Sequence, residues 1–294
     1  MIGETVEDPG KSPIANRQSA ISSLWIDTDI ALGASRGNVD DGFALAAALE
    51  ATRRGHVSLS GISTVFGNTT AAEAEACARR LCDVAGASVD IVRGASAAGE
   101  ATPAADRIAG IGAEAAILAL GPLTNIAAAC RRDPVLPERA MLAVVGGSLS
   151  SRGFLSPLWP HEFNLTEDRD ATGEVFRRRW KSLVLYPLDV VARPRITRHR
   201  LEELAAVSPL GGYVARGSER WLAQTRWRHL GRGFRVRDLP AALDAVGALG
   251  GRHERVKTPA ALRRMTGCAE LTCLVSFDPR AAWRRFLALL GRGP

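Results

Sequence analysis

The chain has 294 residues, 46% of them hydrophobic and 23% charged, which suits one large α/β domain or two ordinary ones and excludes global disorder. Its net charge of +7 is almost all arginine, since only Lys11, Lys181 and Lys257 are lysines, and in an Ala- and Gly-rich chain coding composition alone can produce that bias. The charge is therefore weak support for a phosphate-bearing partner, and none is expected among nucleic acids.

Residues 1–20 mix charge, Pro, Gly and Ser without the apolar run of a signal peptide, and are read as a flexible N-terminal extension to a domain spanning 21–294. Apolar runs of strand length then alternate with amphipathic helical stretches, the pattern of βαβ units. Strands are expected near Leu24–Asp29, Val57–Thr64, Val89–Val92, Ala116–Leu120, Met141–Val145 and Ser182–Leu188. A helix over Asp40–Arg53 carries Phe43, Leu45, Ala46 and Leu49 on one side, and one over Thr70–Ala85 carries Ala74, Cys77, Leu81 and Val84, with Gly86 as its stop. Pro122 suits the first turn of a helix through Ala129 that Asp133-Pro134 ends. Beyond residue 195 the chain reads as helical and arginine-rich, closing with a strand, Leu271–Phe277, and a helix from Asp278. The runs Arg177-Arg178-Arg179 and Arg284-Arg285 read as wet helix faces. The expected fold is α/β, a mainly parallel open sheet flanked by helices in a Rossmann-like single domain. No segment reaches the roughly eighteen uninterrupted apolar residues of a membrane span, so a cytoplasmic protein with no membrane partner is expected. Five cysteines without a CxxC pair or a histidine at zinc-ligand spacing read as small buried hydrophobes.

The chemistry is concentrated after the first strand, which ends in Asp27-Thr28-Asp29; the next helix opens with Asp40-Asp41 after a Gly-containing loop. Ligands of an open α/β sheet bind beyond the carboxyl ends of its strands, so these four acids can share one crevice. Carboxylates that close repel unless a cation lies among them, and oxygen ligands without Cys or His favour Ca²⁺ or Mg²⁺ over zinc. The competing reading is that Asp40 and Asp41 only cap a helix and favour its dipole.

Further segments, IDTD, VDDGFAL, GISTVFGNTT, ILALGPLTNIA, VVGGS and HEFN, follow in that order, mostly at or just after strand-like runs. From about Leu24 to the final helix this ordered set resembles the inosine-uridine-preferring nucleoside hydrolase family. The resemblance implies metal-dependent hydrolysis of the N-glycosidic bond of a ribonucleoside, with Ca²⁺ as cofactor, a small-molecule nucleoside as partner and a homo-oligomeric assembly. It gives Asp29 the role of general base and metal ligand, and makes Asp41, Asp238 and the Thr124 backbone carbonyl the other ligands. Asp40, Glu162 and Asn164 become contacts of the ribose hydroxyls, with Asn68 beside them and Asp27 as support from behind.

The chain departs from the family pattern in three places. The loop from Asp29 to Asp40 is longer, and Gly153–His161 aligns poorly, with Phe154 near the expected position of a ribose-binding Asn. Arg237 precedes Asp238 where many relatives carry a leaving-group histidine, and a guanidinium is a poor general acid. Trp159, Trp221 and Trp227 are candidates to stack on a base, and His161 or His229 to supply a displaced acid. Two other functions compete: a haloacid dehalogenase-type phosphatase, from DTD alone, and a ribosyl-binding protein that has lost turnover.

Overall fold

Inner strands of a parallel sheet are covered on both faces and so read as continuous apolar runs. Ala115–Ala119 and Met141–Val145 are such runs, buried along their whole length. The computed structural model describes residues 23–150, 162–193, 195–225 and 232–291. In chain order it contains β1 (Ser23–Thr28), α1 (Asp40–Arg53), β2 (Ser58–Thr64), α2 (Ala71–Ala85), β3 (Ile91–Arg93), α3 (Pro103–Ala109), β4 (Ala115–Ala119), α4 (Thr124–Arg132), α5 (Leu136–Arg139), β5 (Met141–Val145) and α6 (Arg169–Arg177). There follow β6 (Ser182–Tyr186), α7 (Leu188–Val191), β7 (Arg195–Ile196), α8 (Arg198–Val207), α9 (Pro209–Thr225), β8 (Phe234–Arg235), α10 (Asp238–Ala245), β9 (Arg252–Lys257), α11 (Ala260–Thr266), β10 (Glu270–Ser276) and α12 (Pro279–Leu290).

The main sheet has the order β3-β2-β1-β4-β5-β6-β10-β9, parallel throughout except for β9, which runs antiparallel to β10. A separate short pair joins β7 to β8. Strand order reverses between β1 and β4, the switch point where doubly wound sheets open a crevice for ligands. This is the expected mainly parallel α/β fold, a single domain with helices on both faces.

Local signals account for most boundaries. Thr70 caps α2 by accepting from the Glu73 amide, and Gly86 ends the helix in the left-handed region at φ +64°, where a Cβ would be strained. Asp278 caps α12 through the Arg280 and Ala281 amides, ahead of Pro279. The structure differs from the sequence reading in several details. Helix α1 is buried at every residue from Asp40 to Ala51 rather than on one side, because α2, α9, α10 and α12 all pack against it and its alanines let them approach. Val84 is 40% exposed, and the buried face of α2 runs instead through Ala74, Cys77, Ala78, Leu81 and Cys82. Pro122 lies just ahead of α4 rather than in its first turn. Strand β9 was not expected: its sequence RHERVK is charged, and it forms as an edge strand with mostly exposed residues. All five cysteines are free, four of them buried and Cys268 half-buried. No helix among the described residues is long and apolar enough to cross a membrane.

Candidate active site

Two helices and one strand bring acids to the switch point. Asp27 lies in β1 and Asp29 immediately follows it; Asp40 and Asp41 open α1, and Asp238 opens α10. All five are at most 4% exposed. Carboxylate oxygens of Asp40, Asp41 and Asp238 lie within 4.8 Å of one another. Asp29 is joined to this group through Asn68, whose backbone N–H donates to Asp29 Oδ2 at 2.7 Å. The Asn68 side-chain amide donates to Asp29 Oδ1 at 3.0 Å and to Asp41 Oδ2 at 3.3 Å. The Thr28 hydroxyl donates to Asp41 Oδ1 at 2.5 Å.

Helix capping does not explain these acids. The N-cap of α1 is Val39, with no side-chain cap, and Asp40 and Asp41 are its first two helical residues. Surface acids in a first turn gain a little from the dipole, whereas a fully buried carboxylate loses several kcal/mol of hydration unless it is paired. Burial pushes Asp29 up to about 7, with the Asn68 amide opposing the shift and the Asp40 charge adding to it. Burial likewise raises Asp41 and Asp238 well above the usual carboxylate range, and each is raised further by its acidic neighbours. Asp40 is raised by burial and held back by Arg237.

Close packing around Asp29 is written into two glycines. A Cβ on Gly67 would lie 2.0 Å from Asp29 Oδ2, and one on Gly121 would lie 3.3 Å from Asp29 Cβ and 2.7 Å from Val65 Cγ1. Only a bare backbone lets both turns reach this carboxylate. Four buried acids with an all-oxygen donor set suit a hard divalent cation, whose charge would relieve their repulsion.

Asp27 faces away from this cluster. Its Oδ1 accepts from Ser63 Oγ at 2.5 Å and Asn125 Nδ2 at 2.8 Å, while Oδ2 has no partner among the described residues. Burial raises it to about 6 against those two hydrogen bonds. Asn125 also donates to the Thr64 carbonyl and accepts from the Ala95 amide, so this one side chain ties β1, β2 and the loop after β3 to α4. Asn125 lies within GPLTN, and the sequence alone assigns it no role.

Glu162 is 6% exposed. Its Oε2 accepts from the Leu165 amide at 2.8 Å, whereas Oε1 is buried with no hydrogen-bond partner among the described residues. Burial raises Glu162 to about 7. Asn164 spends its amide on two strand ends, donating to the Leu120 carbonyl at 2.7 Å and the Val145 carbonyl at 2.9 Å. With both amide hydrogens engaged, its Oδ1 is the atom left to meet a hydroxyl. Thr124 is fully buried as the first residue of α4, and its hydroxyl is held by Asp168. Asp168 was missed in the sequence, although an Asp four residues after EFN and just ahead of a helix is a recognisable cap signal.

Arg237 borders the cluster, its Nη1 3.7 Å from Asp40 Oδ2 and its backbone N–H donating to the same oxygen at 3.4 Å. The longer loop after Asp29 is anchored: Ile30, Ala31 and Leu32 are buried, and Leu32 lies against Gly217 of α9, where a Cβ would come within 2.9 Å of it. Trp221 on α9 is half-buried and packs on the core, which explains that side chain without a stacking role. Phe154, Trp159, Trp227, His161 and His229 lie outside the described residues.

Residues 24–267 match the family described as inosine-uridine preferring nucleoside hydrolase. Among curated proteins, "Probable uridine nucleosidase 1" of Oryza sativa subsp. japonica is 30% identical over 197 residues, covering 55% of this chain and 57% of that protein. "Uridine nucleosidase 1" of Arabidopsis thaliana is 28% identical over 188 residues, covering 52% of each chain. The alignments thus span little more than half the length of these relatives. Among solved structures, a plant nucleoside hydrolase superposes with a TM-score of 0.71 at 18% identity, covering 93% of this chain and 100% of that one. A purine-preferring ribonucleoside hydrolase from Gardnerella vaginalis superposes with a TM-score of 0.72 at 18% identity, covering 91% and 98%.

Proposed function

The chain belongs to the inosine-uridine preferring nucleoside hydrolase family, and from that premise we propose that it hydrolyses the N-glycosidic bond of a ribonucleoside, releasing ribose and a base. The observation that supports this reading most is the group Asp40, Asp41 and Asp238, whose carboxylate oxygens lie within 4.8 Å of one another, with Asp29 joined to it through Asn68, all buried at the switch point where an α/β sheet opens its crevice.

In this reading Asp29, Asp41, Asp238 and the Thr124 carbonyl hold one Ca²⁺. When bound, such a cation acidifies a coordinated water, shields the carboxylates from one another and helps orient the sugar. Asp29, buried and held by Asn68 beside the other acids, is the group that takes the proton in this reading. Asp40 and Asn68 face the sugar hydroxyls from one wall and Glu162 and Asn164 from the other. Glu162 Oε1 is an acceptor that lacks a donor among the described residues, which a ribose hydroxyl would supply. Negative charge on Asp40 and Glu162 would stabilise the oxocarbenium-like sugar as the bond to the base breaks.

Arg237 shapes the choice of leaving group. A guanidinium is a poor general acid, but as a fixed cation beside Asp40 it can favour a departing anion. Purine-like or activated ribosides are therefore the proposed substrates, in preference to uridine. The same arginine favours a second reading, a ribosyl-binding protein without turnover. Product analysis with added Ca²⁺ separates the readings. Free ribose from a riboside supports the hydrolase, tight binding without product the binder, and inorganic phosphate from a phosphomonoester a phosphatase.

A further inference from the structure

One carboxylate outside the acid cluster ties three separate segments together. Asp168 is 5% exposed and precedes α6, four residues after Asn164. Its Oδ2 accepts from the Thr124 hydroxyl at 2.6 Å and from the Gly99 amide at 3.0 Å, and its Oδ1 accepts from the Ala171 amide at 2.9 Å. The last of these bonds is an ordinary helix cap. The first two are not: they reach across 44 and 69 positions of sequence to the start of α4 and to the loop that follows β3. Hydrogen bonds to a carboxylate are charge-assisted, and at 2.6 to 3.0 Å these three are short and directional.

We propose that Asp168 is a positioning residue for the metal site, fixing Thr124 by its side chain so that the Thr124 backbone carbonyl is presented to a divalent cation. This rests on the reading that Thr124 is a ligand. The arrangement follows the general rule that a ligand with an orienting partner binds more tightly than one left to find its own orientation. It also ties two segments of the candidate site together. The segment from Glu162 to Asp168 carries Glu162 and Asn164, and Asp168 links that segment to the α4 turn at a second point, beside the bond from Asn164 to the Leu120 carbonyl.

Asp168→Asn separates the clamp from the cap. An Asn oxygen still caps α6, but its amide then faces the Gly99 N–H, donor against donor. Thr124→Val removes the hydroxyl and keeps both the β-branched shape and the backbone carbonyl. Ca²⁺ affinity is measured by calorimetry on chelated, full-length protein, below the unfolding temperature of every variant and with circular dichroism confirming the fold. Asp168→Asn and Thr124→Val should each weaken Ca²⁺ by roughly 10- to 100-fold, and Thr124→Ser should recover much of what Thr124→Val loses. The double variant Asp168→Asn/Thr124→Val should fall short of the sum of the two single losses, because both changes act on the same bond. A purely structural role would lower the unfolding temperature and leave the affinity of the folded protein at the parental value. Parental affinity in Thr124→Val and in a folded Asp168→Asn overturns the inference while leaving the metal site standing. Absence of Ca²⁺ binding by the parent overturns the metal reading, and this inference with it.

Discussion

Asn68 holds both oxygens of Asp29, one through its backbone N–H at 2.7 Å and the other through its side-chain amide at 3.0 Å. The bidentate grip fixes the carboxylate plane, and the close approach of Gly67 leaves it little room to turn. Because the same amide reaches Asp41 at 3.3 Å, Asn68 also relieves part of the repulsion between two buried acids. Removing one partner of a buried bond costs about 1–3 kcal/mol, more when the group left behind is charged. Asn68→Ala should therefore lower the unfolding temperature of the metal-free protein by several degrees and reduce kcat/KM for ribosides. Unchanged values of both would show that the grip is incidental.

Stability should fall with rising pH in the absence of a cation. Burial raises Asp29 from 3.8 to about 7, Glu162 from 4.5 to about 7 and Asp27 from 3.8 to about 6, so the folded chain holds these protons more tightly than the unfolded chain. Protons held in excess by the folded state stabilise it below the unfolded values, and that contribution is lost as pH rises through the window from about 4 to about 7. Asp40, Asp41 and Asp238 shift in the same direction. A bound cation opposes the trend, contributing about 2.7 kcal/mol at a hundredfold excess over its Kd. Unfolding temperatures should decline from pH 5 to pH 7.5 in chelator, and Ca²⁺ should restore them chiefly at the upper end. A flat profile in chelator would mean that these acids are not buried together in solution.

Away from the site, Tyr186 donates to Asp244 Oδ2 at 2.6 Å in the buried layer between β6 and α10, with His253 Nε2 of β9 3.1 Å from the same oxygen. Asp244 thus links α10, whose first residue is Asp238, to the sheet beneath it. Tyr186→Phe keeps the ring and deletes the donor, and should destabilise the protein by about 1–3 kcal/mol in denaturant unfolding. A change within a few tenths of a kcal/mol would show that this bond is replaced at no cost.

Leaving-group choice should follow Arg237. The parent should cleave p-nitrophenyl riboside and inosine much faster than uridine, and Arg237→His should narrow that gap by introducing a titratable acid, an effect that reaches about 10²- to 10⁴-fold where acid catalysis is fully expressed. Uridine cleaved by the parent as fast as the activated riboside would show that an acid is already present.

Much of this architecture was legible in the sequence because apolar runs and turn residues act locally. Met141–Val145 and Asp40–Arg53 are found at the bounds their patterns imply, and Gly86 ends α2 as its type requires. Ordered motifs, rather than any single one, pointed to the family and to the acids that the fold gathers. What escaped the reading depends on distant partners. Charged β9 becomes a strand only because β10 offers it an edge, and α1 is buried all round only because four helices meet on it. Asn125 and Asp168 act across segments far apart in sequence, and no local pattern announces where such side chains will point.

Metal-dependent hydrolysis is decided by the ribose released from inosine or p-nitrophenyl riboside by chelated protein, before and after Ca²⁺ is restored, in the parent and in Asp29→Ala. The parent should release ribose only with Ca²⁺ restored, and Asp29→Ala should lose at least about 10²- to 10⁴-fold, the range expected when a general base is removed. Equal release by the parent in chelator, or near-parental release by Asp29→Ala, would contradict this reading.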